Sequence, residues 1–112
     1  MDIEFIQFTE YINYITGIDV GAPKGANFVA ADDGTVILAQ YYGGYGNCVV
    51  INHGNGMCTR YAHGTSILVT TGQKVTRGTP VLTVGSTGTS TGNHAHFEVS
   101  INGNTVNPLN YL

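Results

Sequence analysis

The sequence predicts an all-β fold, an antiparallel sandwich or partly open barrel, from the spacing of its strands and turns. Short runs rich in β-branched and aromatic residues fit strands at 27–31, 34–41, 47–53, 57–63, 80–85 and 94–101. Glycine turn signals such as Asp32-Asp33-Gly34 and Gly54-Asn55-Gly56 separate these runs. Many short strands with regular turns are typical of packed or closed antiparallel sheets. Before the first run, the hydrophobic spacing in residues 1–14 allows either a short helix or an edge strand.

Composition indicates one small domain with few charges. The 112 residues suit a single hydrophobic core, and 42% hydrophobic residues with 10% charged residues exclude a disordered tail. The net charge is −3 and the basic residues are scattered, so nucleic acid is not an expected partner. No apolar run is long enough to span a membrane, and Met1-Asp2-Ile3-Glu4 lacks the basic start of a signal peptide. We expect the isolated domain to be a monomer.

The two cysteines flank a predicted β-hairpin. With a two-residue turn at Gly54-Asn55, Cys48 opposes Tyr61 and Cys58 opposes Ile51. The two sulfur atoms then lie on opposite faces of the hairpin. Since a disulfide needs converging side chains, this register predicts two free thiols.

The segment His94-Ala95-His96 carries the strongest functional signal. A strand's period of two points both imidazoles to one side of a sheet, and imidazole is a common metal ligand and acid/base group. Glu98 shares that face, so it either orients His96 or is solvated. His63 ends a second predicted strand, and Asp19 stands between apolar residues before a proline turn. Taken singly, these residues are equally compatible with a surface pair, a strand-end histidine and a turn aspartate. Tyr61, two residues before His63, should face the same way and either line a groove or fill the core.

These residues belong to an ordered series of motifs along the chain. The series is Gly17-Ile18-Asp19, Tyr45-Gly46-Asn47, His53-Gly54-Asn55-Gly56, Tyr61-Ala62-His63, Gly85-Ser86-Thr87-Gly88, the His94 segment and Asn107-Pro108-Leu109. In this order they resemble the lysostaphin/LytM-like zinc endopeptidases of the M23 class, which cut peptide bridges in bacterial cell walls. The resemblance implies that Asp19 and His96 are zinc ligands. It also implies that His63 and His94 handle the attacking water and the developing oxyanion.

One ligand position departs from the family pattern. The family has a histidine four residues before the aspartate, and here that position holds Ile15. Isoleucine has no lone pair to donate, and no histidine precedes His53. A catalytic zinc needs three protein ligands and an open position for water, so we expect zinc binding to be weak or absent. Glu10 could replace the missing donor only if the amino-terminal segment folded over the groove.

Two functions therefore follow from the resemblance. In the first, the domain has weakened or lost zinc endopeptidase activity and keeps its groove to bind peptidoglycan peptides or a protein partner. In the alternative, it is an active zinc endopeptidase that cleaves peptidoglycan peptide bridges. Both imply an extracytoplasmic or wall-associated domain of residues 15–112, with an amino-terminal extension at 1–14, excised from a longer chain. A weaker likeness of residues 72–78 to the biotinyl/lipoyl carrier hairpin is a minor alternative, because Lys74 lies off the hairpin tip.

Overall fold

One antiparallel half-barrel sheet organises the chain in a computed structural model that describes residues 10–14, 17–21, 24–85 and 94–108. Its strands are β1 (Glu10–Tyr14), β2 (Gly17–Gly21), β3 (Asn27–Val29), β4 (Gly34–Tyr41), β5 (Asn47–Gly54), β6 (Met57–Ile67), β7 (Lys74–Val75), β8 (Pro80–Val84), β9 (His94–Ile101) and β10 (Asn104–Val106). Along the main path the order is β1-β2-β9-β6-β5-β4-β7, while β10 pairs with β9 and β8 pairs with both β3 and β6. The predicted all-β class is confirmed. Among the described residues, no helix is both long and apolar enough to cross a membrane.

The predicted strands are confirmed, and the differences lie at their ends and in the shortest elements. Strand β6 runs on to Ile67, beyond the predicted end at residue 63. Residues 10–14 form an edge strand rather than a helix, while residues 1–9 lie outside the described part of the chain. Strands β7 and β10 are too short to give a periodic signal. Lys74 pairs with Thr35 inside β7, which is not the exposed hairpin tip of a carrier domain.

The predicted hairpin register is wrong by one residue. The turn consists of Asn55-Gly56, whose φ angles are 54° and 80°, and Gly54 pairs with Met57 across it. Asparagine followed by glycine suits a two-residue turn in which both positions are left-handed. A bulge between Asn52 and Gly54 then shifts the pairing on β5.

Both cysteines are free as predicted, but for a different physical reason. Cys58 lies opposite Asn52, and Val50 lies opposite Arg60. By strand alternation, Cys48 and Cys58 therefore share one face, contrary to the prediction. They are kept apart along the strand, because the four residues from Cys48 to Asn52 span about 13 Å, well beyond the reach of a disulfide.

The core centres on three fully buried aromatic rings. Tyr61 packs edge-on against Phe28 at 4.9 Å and against Phe97 at 5.4 Å between ring centroids. Buried aliphatic side chains from β4, β5, β8 and β9 surround them, including Val36, Val49, Ile51, Val81, Leu82, Val84 and Val99. Of the two positions that the sequence allowed for Tyr61, the structure therefore gives the core. This packing supports the central strands β6 and β9, which carry the candidate site on their other face.

The buried hydroxyl of Tyr61 joins a chain of hydrogen bonds. It accepts the backbone N–H of Ala31 at 3.0 Å and lies 2.7 Å from Oγ1 of Thr59. Oγ1 of Thr59 is in turn 2.7 Å from Nε2 of His53, whose Nδ1 lies 2.7 Å from the carbonyl oxygen of Asp33. Burial raises the pKa of Tyr61 to about 12, so the hydroxyl stays protonated. The chain ties β5 and β6 to the loop before β4.

Removing this hydroxyl tests its contribution. We expect Tyr61→Phe to lower the free energy of unfolding by about 1–3 kcal/mol, because the buried N–H of Ala31 loses its acceptor while the ring still packs. Urea unfolding followed by circular dichroism measures the change. The matched control is Tyr41→Phe, at a ring that is 60% exposed, which should stay within about 0.5 kcal/mol of wild type. Equal effects of the two substitutions would contradict the assignment.

Candidate functional site

Asp19 and His96 meet across neighbouring strands. They are directly opposed in the β2–β9 pairing, so their side chains leave the same face of the sheet. Nδ1 of His96 lies 2.6 Å from Oδ1 of Asp19. The two residues that the sequence marked as a metal-binding pair are thus in contact, although 77 positions separate them in the chain.

Glu98 holds the other nitrogen of the same imidazole. Nε2 of His96 lies 2.9 Å from Oε2 of Glu98, and the Tyr45 hydroxyl donates to the same carboxylate at 3.2 Å. Nε of Arg60 is 3.7 Å from Oε1 of Glu98. The Glu98 side chain is only 10% exposed, so the solvated alternative for this residue is wrong. His96 is held between two carboxylates, which fixes the plane of its ring.

Gly17 gives the imidazole room. A Cβ at this position would stand 2.8 Å from the carbonyl oxygen of Phe97 and 2.9 Å from Cε1 of His96. Real Cβ atoms do not approach backbone that closely, so any other residue would push β2 away from β9. The glycine two residues before Asp19 therefore has a steric role in the site.

His63 reaches the site through a strained backbone. Its φ is +62°, a left-handed conformation that is uncommon for residues other than glycine. The β5–β6 pairing shifts at the same point, between Tyr61 and Gly64. Regular alternation would point His63 to the same face as Tyr61, which is buried in the core, and the prediction that the two side chains face the same way is wrong. The irregularity turns the ring toward His96, with 5.9 Å between the two centroids.

The structure does not describe the side chain of one expected catalytic histidine or those of the residues considered for the third metal-ligand position. His94 begins β9 opposite Gly21, but its side chain lies outside the described part. Ile15 also lies outside the described residues, as does the side chain of Glu10. The described part of the site therefore consists of Asp19, His63, His96 and Glu98 with their neighbours.

A short 3₁₀ turn, Gly43–Tyr45, forms one wall of the site. The Tyr45 ring lies 6.3 Å from the His96 ring, and the two line an open depression of about 240 Å³ with Gly44 and His63. The guanidinium of Arg60 stacks 4.3 Å from the centroid of the Tyr45 ring. Sequence reasoning did not assign Tyr45 or Arg60 to the site. Their positions in Tyr45-Gly46-Asn47 and just before Tyr61-Ala62-His63 were the available signals.

The described donors do not by themselves form a catalytic zinc site. Such a site needs three protein ligands around the ion. Within the described ranges, no group of three histidine, cysteine, aspartate or glutamate residues is arranged to hold a metal ion. Asp19 and His96 are of the right chemical type and lie close enough to contact the same ion, so they supply two of the three donors.

The hydrogen bonds shift the pKa values of both central groups. Burial lowers the pKa of His96, but its bonds to Glu98 and Asp19 and their negative charges outweigh that effect and raise the pKa above 6.5. Burial raises the pKa of Glu98, but the bond and charge of His96, with Tyr45 and Arg60, bring it below 4.5. Both shifts favour an imidazolium ion beside a carboxylate when no metal is bound.

The protein is a half-barrel sheet that carries histidines and an aspartate on one face. We compared the chain with known protein families to find the class that has this fold and site. The chain belongs to peptidase family M23, whose family model matches residues 13–108. This membership confirms the resemblance seen in the motifs and removes the carrier-domain alternative.

Individual relatives include both hydrolases and activators. The chain is 47% identical over 94 residues to the DD-carboxypeptidase/endopeptidase Mpg of Neisseria meningitidis, covering 84% of this chain and 22% of the relative. It is 42% identical over 97 residues to the murein hydrolase activator NlpD of Escherichia coli, covering 86% and 25%. A zinc-containing peptidase from Vibrio cholerae superposes with a TM-score of 0.82 at 33% identity, covering 96% and 37%. The chain thus spans about a quarter of the length of the curated relatives that it matches.

The strain at His63 predicts that glycine at this position is more stable than alanine, the reverse of the usual order inside a strand. Both His63→Ala and His63→Gly remove the ring, but only glycine adopts a positive φ without a steric cost. We expect the glycine variant to be more stable than the alanine variant by about 1 kcal/mol, measured by urea unfolding. At the adjacent Ala62, which has no positive φ, the change to glycine should destabilise instead. An alanine variant at position 63 as stable as the glycine variant would show that no strain is stored there.

The pKa shifts predict a pH window for stability in metal-free protein. Because the folded pKa of His96 is raised, its stabilisation is complete below pH 6.5 and is lost as the pH rises through the folded value. Because the folded pKa of Glu98 is lowered, its stabilisation is complete above pH 4.5 and is lost as the pH falls. We expect wild type to lose more stability than Glu98→Gln between about pH 5.5 and 8.5, measured by urea unfolding with chelator present. Parallel curves for the two proteins would refute this coupling.

Proposed function

We propose that this chain is an M23 domain that binds peptidoglycan peptides or a protein partner in its groove, with zinc endopeptidase activity weakened or lost. The observation that carries the proposal is Ile15, which stands where the family has its third metal ligand. Asp19 and His96 then supply only two donors, one short of the three that a catalytic zinc needs. Nε2 of His96 lies 2.9 Å from Glu98 and Nδ1 lies 2.6 Å from Asp19, so a metal would also have to displace the proton held at Nδ1.

Each site residue keeps a role in this proposal. Asp19 and His96 are the remaining members of the family's metal-binding set, and His63 and His94 occupy the positions of its catalytic histidines. Without a complete ligand set there is no activated water for these histidines to act on. They can instead donate to the carbonyl groups of a bound peptide or partner, in a depression that Tyr45 walls on one side.

The relatives support a role at the cell wall, whether the domain only binds peptides or also cleaves them. One relative is named a murein hydrolase activator and another a DD-carboxypeptidase/endopeptidase, so the family includes activators as well as hydrolases. We propose an extracytoplasmic location for this chain, since peptidoglycan lies outside the cytoplasmic membrane. In this proposal residues 15–112 form the peptidase-like domain, residues 1–14 are its extension, and the domain acts as a monomer.

Metal content and wall cleavage test the proposal directly. We expect the protein, purified without added metal, to hold clearly less than one zinc per chain by elemental analysis. It should bind isolated cell-wall sacculi in a sedimentation assay and release no soluble peptides from them. Full zinc occupancy with chelator-sensitive release of peptides would establish the active endopeptidase instead. Absence of binding to sacculi, with no release, would remove the peptidoglycan half of the proposal.

Restoring the missing donor gives a sharper comparison. Loss of a ligand that contacts the metal should weaken binding by at least about 100-fold, since changes in the surrounding shell alone cost 10–100-fold. Ile15→His should recover affinity of that order, measured by competition with a chromogenic zinc chelator. Ile15→Phe, which adds a ring without a nitrogen donor, is the matched control and should bind zinc as wild type does. No gain from histidine would mean that the rest of the metal pocket has also been lost.

A further inference from the structure

A second concave feature lies beside the histidine site on the same face of the sheet. It is a cavity of about 310 Å³ between the outer surfaces of β4, β5, β6 and β9, and Tyr45 borders both this cavity and the depression at His96. Ile37, Val50 and Cys58 form its apolar wall, and Arg60 lies at its border. We call this cavity the Arg60 pocket. Its size suits one side chain or one end of a peptide rather than a whole peptide.

Two aromatic rings, an ion pair with Glu98 and a hydrogen bond to the Cys48 sulfur position the Arg60 guanidinium. It stacks on Tyr45 at 4.3 Å and lies 5.5 Å from the centroid of the Tyr42 ring. Its Nε is 3.7 Å from Glu98, beyond hydrogen-bond distance, and its Nη1 has a weak contact of 3.6 Å to Sγ of Cys48. Among the described residues, the guanidinium thus makes no hydrogen bond to an oxygen acceptor. A group with five N–H donors is held in place with most of its capacity unused.

The acceptors near the pocket are already engaged. The Glu98 carboxylate, which also lines the pocket, receives His96 and the Tyr45 hydroxyl and forms an ion pair with Arg60 at 3.7 Å. The remaining polar side chains of the lining include the hydroxyls of Ser100 and Thr105, which can donate as Arg60 does. Stacking aromatic rings also leave the edge of a guanidinium accessible to a planar anion. The pocket therefore offers donors around a partly buried positive charge, 26% exposed.

We propose that the Arg60 pocket is a carboxylate-binding subsite of the groove. A ligand carboxylate would pair with the guanidinium through two parallel N–H···O bonds, while a short aliphatic stem packs on Val50 and Ile37. Lys24, Lys74 and Arg77 do not line the pocket, so Arg60 is its single cation. The inference rests on the proposed function in one respect, that the occupant is a peptide. It adds which chemical group that peptide must carry beside the histidine site.

Two matched pairs of probe peptides test the subsite with the full chain. The first pair is N-acetyl-Gly-Glu-Gly amide and its glutamine counterpart, and the second is N-acetyl-Gly-Gly-Gly with a free or an amidated carboxyl terminus. We expect the acid of one pair to bind at least about tenfold more tightly than its neutral partner, by NMR titration. The pair that shows the preference identifies a side-chain or a terminal carboxylate as the ligand group. The shift of the Arg60 Nε–Hε signal should follow the same titration.

Substitutions separate this effect from general electrostatics. Arg60→Gln should abolish the preference, and Arg60→Lys should reduce it because the bidentate geometry is lost. Arg77→Gln changes the net charge equally at a position outside the pocket and should leave the preference intact. If the Arg60 variants unfold, as thermal melting would reveal, Ser100→Val offers a variant that narrows the pocket while keeping the cation. It should also weaken binding of the acid.

The outcomes distinguish this inference from the proposed function. Equal binding of acid and neutral peptides would overturn the carboxylate subsite while leaving a peptide-binding groove. Failure of all four probes to bind, while sacculi still bind, would also overturn the subsite but not the proposed function. Failure of both probes and sacculi would remove the peptidoglycan-binding function itself. A preference that survives in Arg60→Gln would place the carboxylate elsewhere and overturn the assignment.

Discussion

The imidazole of His96, fixed between the carboxylates of Asp19 and Glu98, is the constraint on which the candidate site depends. One carboxylate comes from the neighbouring strand β2 and the other from the same strand, two residues further on. With both nitrogens bonded, the ring cannot flip or tilt without breaking a partly buried bond, which costs more than breaking one in water. The same arrangement that would orient a metal ligand thus satisfies the imidazole completely on its own.

Two backbone features make this arrangement sterically possible. Gly17 lets β2 approach β9 closely enough for Asp19 to reach the ring, and the left-handed backbone at His63 rotates a second imidazole out of the core. Below them, Tyr61 anchors the same stretch of β6 by its ring and its hydroxyl. A strained residue needs a well-packed support, and here the fully buried Tyr61 lies two positions before it.

Most of the fold was predictable because the sequence of each longer strand shows a hydrophobic pattern typical of a strand. Alternating or continuous apolar residues marked β4, β5, β6 and β9, whereas β2, with a glycine at each end, forms a strand through its neighbours β1 and β9. Strand alternation put Glu98 on the same face as His96, so the sequence left two options for it, contact with His96 or exposure to solvent. The orientation of His63 and the register of the hairpin could not be predicted in this way, because both depend on single residues that break that alternation. The partners of Arg60 come from the turn before β5 and from β9, so local sequence could not show its environment.

The long separation between Asp19 and His96 has a consequence for biogenesis. The two residues become neighbours only when β9, close to the carboxyl end of the described chain, inserts between β2 and β6. Contacts between residues so far apart in the sequence form late, since most of the chain must first lose its conformational freedom. A nascent polypeptide still attached to the ribosome and lacking β9 therefore has no assembled site. Any ligand of this site can be captured only after β9 has been synthesised and has paired with β2 and β6.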